Sequence, residues 1–220
     1  MFLGHYAVAF IAKRFVPTVS LGTLILAAQL MDILWPIFLL LGVEHVAIQP
    51  GITAASPFNF YDYPYSHSLL GSLIWSVVLG LVFLAYSRNP KRSLIVGGVV
   101  FSHWILDLIV HRPDLPLALN DGPYFGFGVW NSVPLTLGLE LGLMLVGLTV
   151  YERTTARKDR LGKYLPLGLT ALLVLVYLAT TLGPPAPDVQ TIALSGFFFI
   201  SLTVALGYWT DRHRQAVMHE

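Results

Sequence analysis

Three ionisable residues follow one another at four-residue steps in the segment SHWILDLIVH, which begins at Ser102. They are His103, Asp107 and His111, and a helix would place all three on one face because residues four apart are neighbours on a helix surface. The segment is also apolar enough to cross a membrane, where each ionisable group costs roughly 2.5–3.5 kcal/mol to insert. Coordination of a divalent metal would offset this cost, since imidazole and carboxylate groups bind zinc and related ions.

Other ionisable residues also lie within apolar segments, and none of them is Lys or Arg: they are His5, Asp32, His67 and Glu140. A buried carboxylate normally needs a cation partner, so a bound metal would explain the absence of a basic side chain. Counted from the nearest basic residues at about 1.5 Å per helical residue, most of these groups fall at similar depth, in the outer half of the membrane. This agreement in depth predicts that they share one metal site.

The segments that carry these residues must cross a membrane. The chain of 220 residues is 55% hydrophobic and 11% charged, with a mean hydropathy of +0.70. We therefore predict an all-α integral membrane protein, one domain over 1–220, in which 1–120 carries the site and 121–220 completes the bundle. A shorter apolar segment near the N-terminus predicts a half-membrane helix anchored by Lys13 and Arg14. The predicted spans are near 17–43, 66–87, 93–111, 132–151, 163–183 and 189–210.

The basic residues are distributed asymmetrically between the predicted loops. If six spans alternate, 12 of the 13 Lys and Arg residues lie on one side and only Arg112 lies on the other. The positive-inside rule then predicts that both termini are cytoplasmic. The opposite loops are longer and rich in Pro, Gly and aromatic residues, so we expect the site to open outward. The acidic residues expected in these outer loops are Glu44, Asp62, Asp114, Asp121 and Asp188.

Composition also excludes some partners and ligands. The formal net charge is only +1, which argues against nucleic acid or another polyanionic partner. The chain contains no cysteine, so disulfides and thiolate metal ligands are excluded.

Simpler structural roles are open for the same residues. His103 and Asp107 could form an interhelical hydrogen-bonded pair, and Asp32 could bond a neighbouring helix. His67 and His5 could be interfacial histidines, and His111 with Arg112 could form a solvated helix end. Glu140 is open between metal ligand, base and structural group. Ordinary loop or tail positions are expected for His45, His213 and His219.

Four short motifs resemble the YdjM-type membrane-bound metal-dependent hydrolases of the bacterial cytoplasmic (inner) membrane. They are the early GH of Gly4 and His5, an Asp in the next helix (Asp32), SHSLL from Ser66, and SHWILDLIVHRPDLPL from Ser102. The resemblance covers about the first 120 residues. It implies a divalent metal, zinc first and manganese or another transition metal as alternatives. The implied metal ligands are His5, Asp32, His67, His103 and Asp107.

The function expected on this basis is hydrolysis of a membrane lipid or other amphiphilic substrate from the outer leaflet, with metal-activated water as nucleophile. Asp107 or Glu140 is the expected base, and Ser66 and Ser68 could bond a developing oxyanion. His111 and Arg112 are additional candidates. The alternative is a divalent-cation or proton-coupled transporter that uses the same His and Asp residues, since such residues also form ion pathways.

Overall fold

The structure is a computed structural model that describes residues 1–120 and 122–217, so Asp121 and His219 lie outside the described residues. Nine α-helices account for most of the described chain, and a single 3-10 turn, Val129–Asn131, precedes the seventh. The helices are α1 (Leu3–Ala12), α2 (Leu21–Ala28), α3 (Leu30–Leu40), α4 (Pro64–His67), α5 (Leu69–Ser87), α6 (Pro90–Val110), α7 (Val133–Thr154), α8 (Arg160–Leu182) and α9 (Val189–Arg212).

Each of the five long helices, α5 to α9, begins at a residue whose side chain accepts a hydrogen bond from a backbone N–H of the first turn. Such caps satisfy donors that have no partner within the helix. Proline at the start of α6 and α7 adds to this signal because its fixed φ suits the first helical turn. The capping residues are Ser68, Asn89, Ser132, Asp159 and Asp188.

Helices α5 to α9 are long and apolar enough to span a membrane, and α2 with α3, a pair bent by 53°, adds a sixth span if the pair crosses the membrane as one unit rather than as a re-entrant loop. The expected fold class is therefore confirmed: a multi-span helical membrane protein with a short apolar N-terminal helix, α1. The first predicted span, 17–43, differs in being broken at Gln29. The backbone of Gln29 (φ −101°, ψ 8°) leaves the helical ladder, and the freed carbonyl of Ala28 accepts a hydrogen bond from His103 Nδ1 instead.

Helices α1 and α2 lie at the centre of the bundle, and the longer helices surround them with their apolar outer faces exposed. Small residues allow this close packing. A Cβ at Gly147 of α7 would lie 2.9 Å from the Ala7 backbone of α1, and one at Gly207 of α9 would lie 2.9 Å from the backbone of Gly22 in α2. These contacts fix α1 and α2, and therefore the residues they carry.

The part of the chain that the structure describes also contains three short two-stranded antiparallel sheets that were not predicted, and all of them lie in connections between helices or after α9. One joins β1 (His45–Ile48) to β2 (Phe58–Asp62), and a second joins β3 (Leu115–Pro116) to β4 (Tyr124–Phe125). The third pairs β5 (Thr155–Arg157) with β6 (Arg214–Ala216). It therefore ties the chain after α7 to the chain after α9.

Asp211 connects four helices at the same end of the bundle as β5 and β6. Its carboxylate contacts Lys13 Nζ and accepts hydrogen bonds from the Leu21 N–H (2.7 Å) and the Tyr151 hydroxyl (2.7 Å). These partners belong to or follow α1, α2 and α7, while Asp211 itself is on α9. The cluster therefore anchors the end of the short helix α1.

Candidate metal centre

Five ligand-type side chains converge from four helices. His5 lies in the first turn of α1, Asp32 in the first turn of α3, and His67 at the end of α4, while His103 and Asp107 are one turn apart on α6. The break at Gln29 has a direct consequence here, because it makes Asp32 a first-turn residue. A carboxylate is stabilised there by the helix dipole.

Asp107 lies at the centre of the group. Its Oδ1 is 3.1 Å from His5 Nε2, and its Oδ2 is 3.2 Å from His103 Nε2 and 3.9 Å from His67 Nε2. The amino nitrogen of Met1 also contacts Asp107 Oδ1. One carboxylate thus faces all three imidazoles.

Asp32 completes the cluster on the opposite side. Its Oδ1 is 3.4 Å from His67 Nε2 and 3.7 Å from His103 Nε2. Two overlapping groups result, in each of which the ligand atoms lie within 4.8 Å of one another. One group is His5, His103 and Asp107; the other is Asp32, His67 and His103.

His103 provides a test of whether a cation fits. Its Nδ1 is 2.8 Å from the Ala28 carbonyl, which can only accept, so Nδ1 carries a proton, and in the neutral imidazole Nε2 carries the lone pair. His103 Nε2 is buried and has no hydrogen-bond partner within the described part of the chain, although it faces carboxylate oxygens. In the neutral imidazole this lone pair faces carboxylate oxygens, and a metal cation between them would bind both kinds of group. The donor set of imidazole nitrogens and carboxylate oxygens suits zinc or a related ion.

The His5 ring stacks on the His103 ring, with centroids 3.6 Å apart and an interplanar angle of 4°. His5 Nδ1 is also buried without a hydrogen-bond partner in the described residues. The parallel arrangement directs both Nε2 atoms to the same carboxylate of Asp107. This geometry resembles two ligands of one ion more than two independent core histidines.

Access to the cluster is from the side of Asp32. The Asp32 side chain is 29% exposed, whereas those of the other four residues are at most 6% exposed. Apolar side chains that include Leu24, Ile25 and Val100 form the core next to α1 and α6. Among the five side chains, the cluster is therefore most accessible at Asp32.

His67 is held by a hydrogen-bonded chain that leads away from the cluster. Its Nδ1 is 2.7 Å from Ser66 Oγ, and Ser66 donates to Glu44 through both Oγ (2.6 Å) and its backbone N–H (2.7 Å). Burial raises the pKa of the Glu44 carboxyl, while the hydrogen bonds from Ser66 favour its charged form. Glu44 is a candidate functional residue that the sequence identified only as an outer-loop acid.

The remaining sequence-predicted site residues make other contacts. Glu140 accepts hydrogen bonds from the backbone N–H groups of Phe2 and Gly4, both 2.9 Å away, and so caps α1. Ser68 Oγ accepts from the Gly71 N–H and caps α5. Neither residue belongs to the two ligand groups.

His111 and Arg112 form a separate cluster around Asp114. His111 Nδ1 is 2.9 Å from Asp114 Oδ1, and Arg112 donates to Asp114 Oδ2 (2.9 Å) and to Asn59 (2.6 Å). His111 is buried against Trp130, with ring centroids 4.3 Å apart, so the solvated helix end considered from the sequence does not form at this residue.

Comparisons of the chain with protein families, with curated proteins and with solved structures gave no match. The site geometry therefore provides the argument about function. Two of its features had no signal in the sequence: the Ala28 carbonyl, which is freed by the helix break, and Glu44, which is 22 residues from its partner Ser66.

Proposed function

We propose that the protein is a membrane-embedded metal-dependent hydrolase that acts on a lipid or other amphiphilic substrate. The observation that carries the proposal is the buried Nε2 of His103, which has no hydrogen-bond partner in the described chain and faces Asp32 and Asp107 within a group of five ligand-type side chains. The ligand set is also the one implied by the resemblance to YdjM-type hydrolases. A zinc ion bound there would lower the pKa of its water toward about 7 and polarise the substrate oxygen.

The residues have distinct roles in this proposal. His5, His67, His103 and Asp107 are buried and would hold the ion. Asp32, the most exposed member of the cluster, is better placed than Asp107 or Glu140 to accept a proton from an incoming water molecule. Glu140 is already bonded to the backbone of α1, and Ser66 to Glu44, which leaves neither free for the roles suggested by the sequence.

Trp35 is a candidate donor to a substrate oxygen. It lies one turn after Asp32, and its ring is edge-on to His67 with centroids 6.3 Å apart. Its indole N–H is buried without an acceptor in the described chain. A substrate oxygen at the opening would satisfy this donor, which Ser68 cannot replace because it caps α5.

A lipid substrate is supported by the surroundings of the opening. Tyr61 of β2 and Tyr65 of α4 are exposed, as are Tyr124 and Phe125 of β4. Such aromatic residues are typical of a membrane interface. The positive charge at the opposite ends of the helices supports the outer leaflet of a cytoplasmic membrane as the site of action.

A transporter is the second candidate, and the break between α2 and α3 favours it. Broken helices in many transporters place backbone carbonyls at an ion site near the middle of the membrane. The apolar core next to α1 and α6, which includes Leu24, Ile25 and Val100, favours the hydrolase, because a transported ion needs polar groups on both sides of its site.

The test is hydrolysis of a panel of fluorogenic ester, phosphoester and amide lipids by zinc-loaded protein in detergent, with wild type beside Asp32→Asn. Loss of general-base catalysis should reduce the turnover rate of Asp32→Asn by about 10²–10⁴-fold relative to wild type. Absence of turnover on every substrate, together with zinc flux into sealed liposomes that requires Asp107, would refute the hydrolase and support the transporter.

A further inference from the structure

Glu44 is a buried carboxylate that is linked to the metal centre by hydrogen bonds through Ser66 but is not one of the proposed ligands. It follows α3, is fully buried, and faces Ser66 of α4. Both of its oxygens are engaged by one residue: Oε1 accepts the Ser66 N–H, and Oε2 accepts the Ser66 hydroxyl. A buried carboxylate is costly, so this arrangement requires an explanation beyond the local turn.

The positions of the hydrogens follow from the donors and acceptors in this chain. A carboxylate can only accept, so the single hydroxyl proton of Ser66 points to Glu44 Oε2. Ser66 Oγ must then accept from His67 Nδ1, 2.7 Å away. His67 Nδ1 therefore carries a proton, and in the neutral imidazole the lone pair is on Nε2, the atom that faces Asp32 and Asp107.

We infer that Glu44 is a positioning residue of the metal centre: through Ser66 it holds His67 in the tautomer whose Nε2 is free to bind the ion. This inference rests on the proposed metal site. A histidine ligand commonly donates its second N–H to a carboxylate, which fixes the ring and its tautomer. Here a serine hydroxyl is inserted between the two groups.

The substitution Glu44→Gln should reverse the donor-to-acceptor direction of the hydrogen bonds that link residue 44, Ser66 and His67. The Ser66 N–H still requires a hydrogen-bond acceptor, so the amide oxygen of the new side chain takes the place of Oε1. The NH₂ group of this side chain then faces Ser66 Oγ. The Ser66 hydroxyl must then donate to His67 Nδ1. This moves the imidazole proton to Nε2, where it blocks coordination.

Ser66→Ala should have a smaller effect, because the His67 ring can then adopt either tautomer. Changes of such outer groups typically weaken metal binding by about 10–100-fold. We expect zinc affinity to fall about 100-fold in Glu44→Gln and about tenfold in Ser66→Ala. In the double variant no hydroxyl transmits the change, so its affinity should equal that of Ser66→Ala alone.

The experiment measures zinc affinity of the full-length protein in detergent by competition with a chromophoric chelator, for wild type, both single variants and the double variant. Glu152→Gln is the matched control, because Glu152 pairs with Arg214 outside the metal centre and should leave zinc affinity unchanged. ¹⁵N-histidine spectra of the metal-free proteins report the His67 tautomer independently of zinc.

The inference predicts an Nδ1–H tautomer for His67 in wild type, an Nε2–H tautomer in Glu44→Gln, and recovery of affinity when Ser66→Ala is added. It is overturned if Glu44→Gln leaves the tautomer unchanged, or if the double variant binds zinc as weakly as Glu44→Gln. A wild type that binds no zinc refutes the proposed function instead, and the tautomer spectra still decide the role of Glu44.

If Glu44→Gln fails to fold, the His67 tautomers of wild type and Ser66→Ala decide the role of Glu44. A fixed Nδ1–H form in wild type that becomes mixed in Ser66→Ala supports the inference. Identical spectra of the two proteins overturn it.

Discussion

Replacement of Gly147 by alanine should weaken the metal centre although Gly147 is not part of it. A Cβ at this position would lie 2.9 Å from Ala7 Cα and Ala7 O, and 3.2 Å from Ala7 Cβ. Ordinary carbon–carbon contacts are about 3.5–4.0 Å, so α1 and α7 must separate locally by roughly 0.6–1 Å. His5 is two residues from Ala7 on the same helix and should move by a similar distance.

This displacement is large for a metal ligand, whose bond lengths hold to within about 0.2 Å. Zinc affinity should therefore fall at least about tenfold, as for other changes that disturb ligand orientation. Overpacking costs about 1–3 kcal/mol. Removal of a helical glycine returns about 0.5–1 kcal/mol, so we expect a net loss of stability of up to roughly 2.5 kcal/mol.

Thermal unfolding and chelator competition on detergent-purified protein measure the two effects. Gly142→Ala is the matched control, because Gly142 is on the same helix and a Cβ there meets nothing within 4 Å. The control should keep wild-type zinc affinity and be at least as stable as wild type. Wild-type zinc affinity in Gly147→Ala would refute the argument that this contact positions His5.

Three further substitutions separate structural from chemical roles. Glu140→Gln should lower stability by about 1.5–3 kcal/mol, because it weakens the charge-assisted hydrogen bonds from the Phe2 and Gly4 N–H groups, and the variant should still bind zinc. Unchanged thermal stability with complete loss of turnover would instead support the catalytic base predicted from the sequence. Ser68→Ala should cost about 0.5–2 kcal/mol through the lost cap, and a loss of zinc or turnover without destabilisation would contradict this role. Asp211→Ala leaves Lys13 buried without its partner and should cost about 3–5 kcal/mol, which an unchanged melting temperature would disprove.

Much of the fold could be predicted because it depends on local signals. Five spans follow from apolar length, and their starts coincide with capping residues such as Asn89 and Asp188. The break at Gln29 could not be predicted, because no Gly or Pro marks it. It depends on a tertiary contact, the hydrogen bond from His103 to the Ala28 carbonyl.

The ligand-type residues could be identified because ionisable groups in apolar segments are few and costly. What each neighbouring polar group does could not be predicted, since a hydroxyl or carboxylate has several local and tertiary uses. Ser66 and Ser68 are two residues apart, yet one bonds Glu44 and His67 while the other caps a helix. Glu140 has the appearance of a buried base in the sequence, but its partners are backbone N–H groups of α1.

The central claim is that the His and Asp cluster binds a metal ion. Elemental mass spectrometry on detergent-purified protein tests it, with wild type beside His103→Ala and His45→Ala. His45 is an exposed histidine paired with Asp62 outside the cluster, so its variant is the matched control. We expect zinc or another transition metal near one equivalent in wild type and His45→Ala, and its loss in His103→Ala. Wild-type protein that remains free of metal after incubation with zinc or manganese would contradict it.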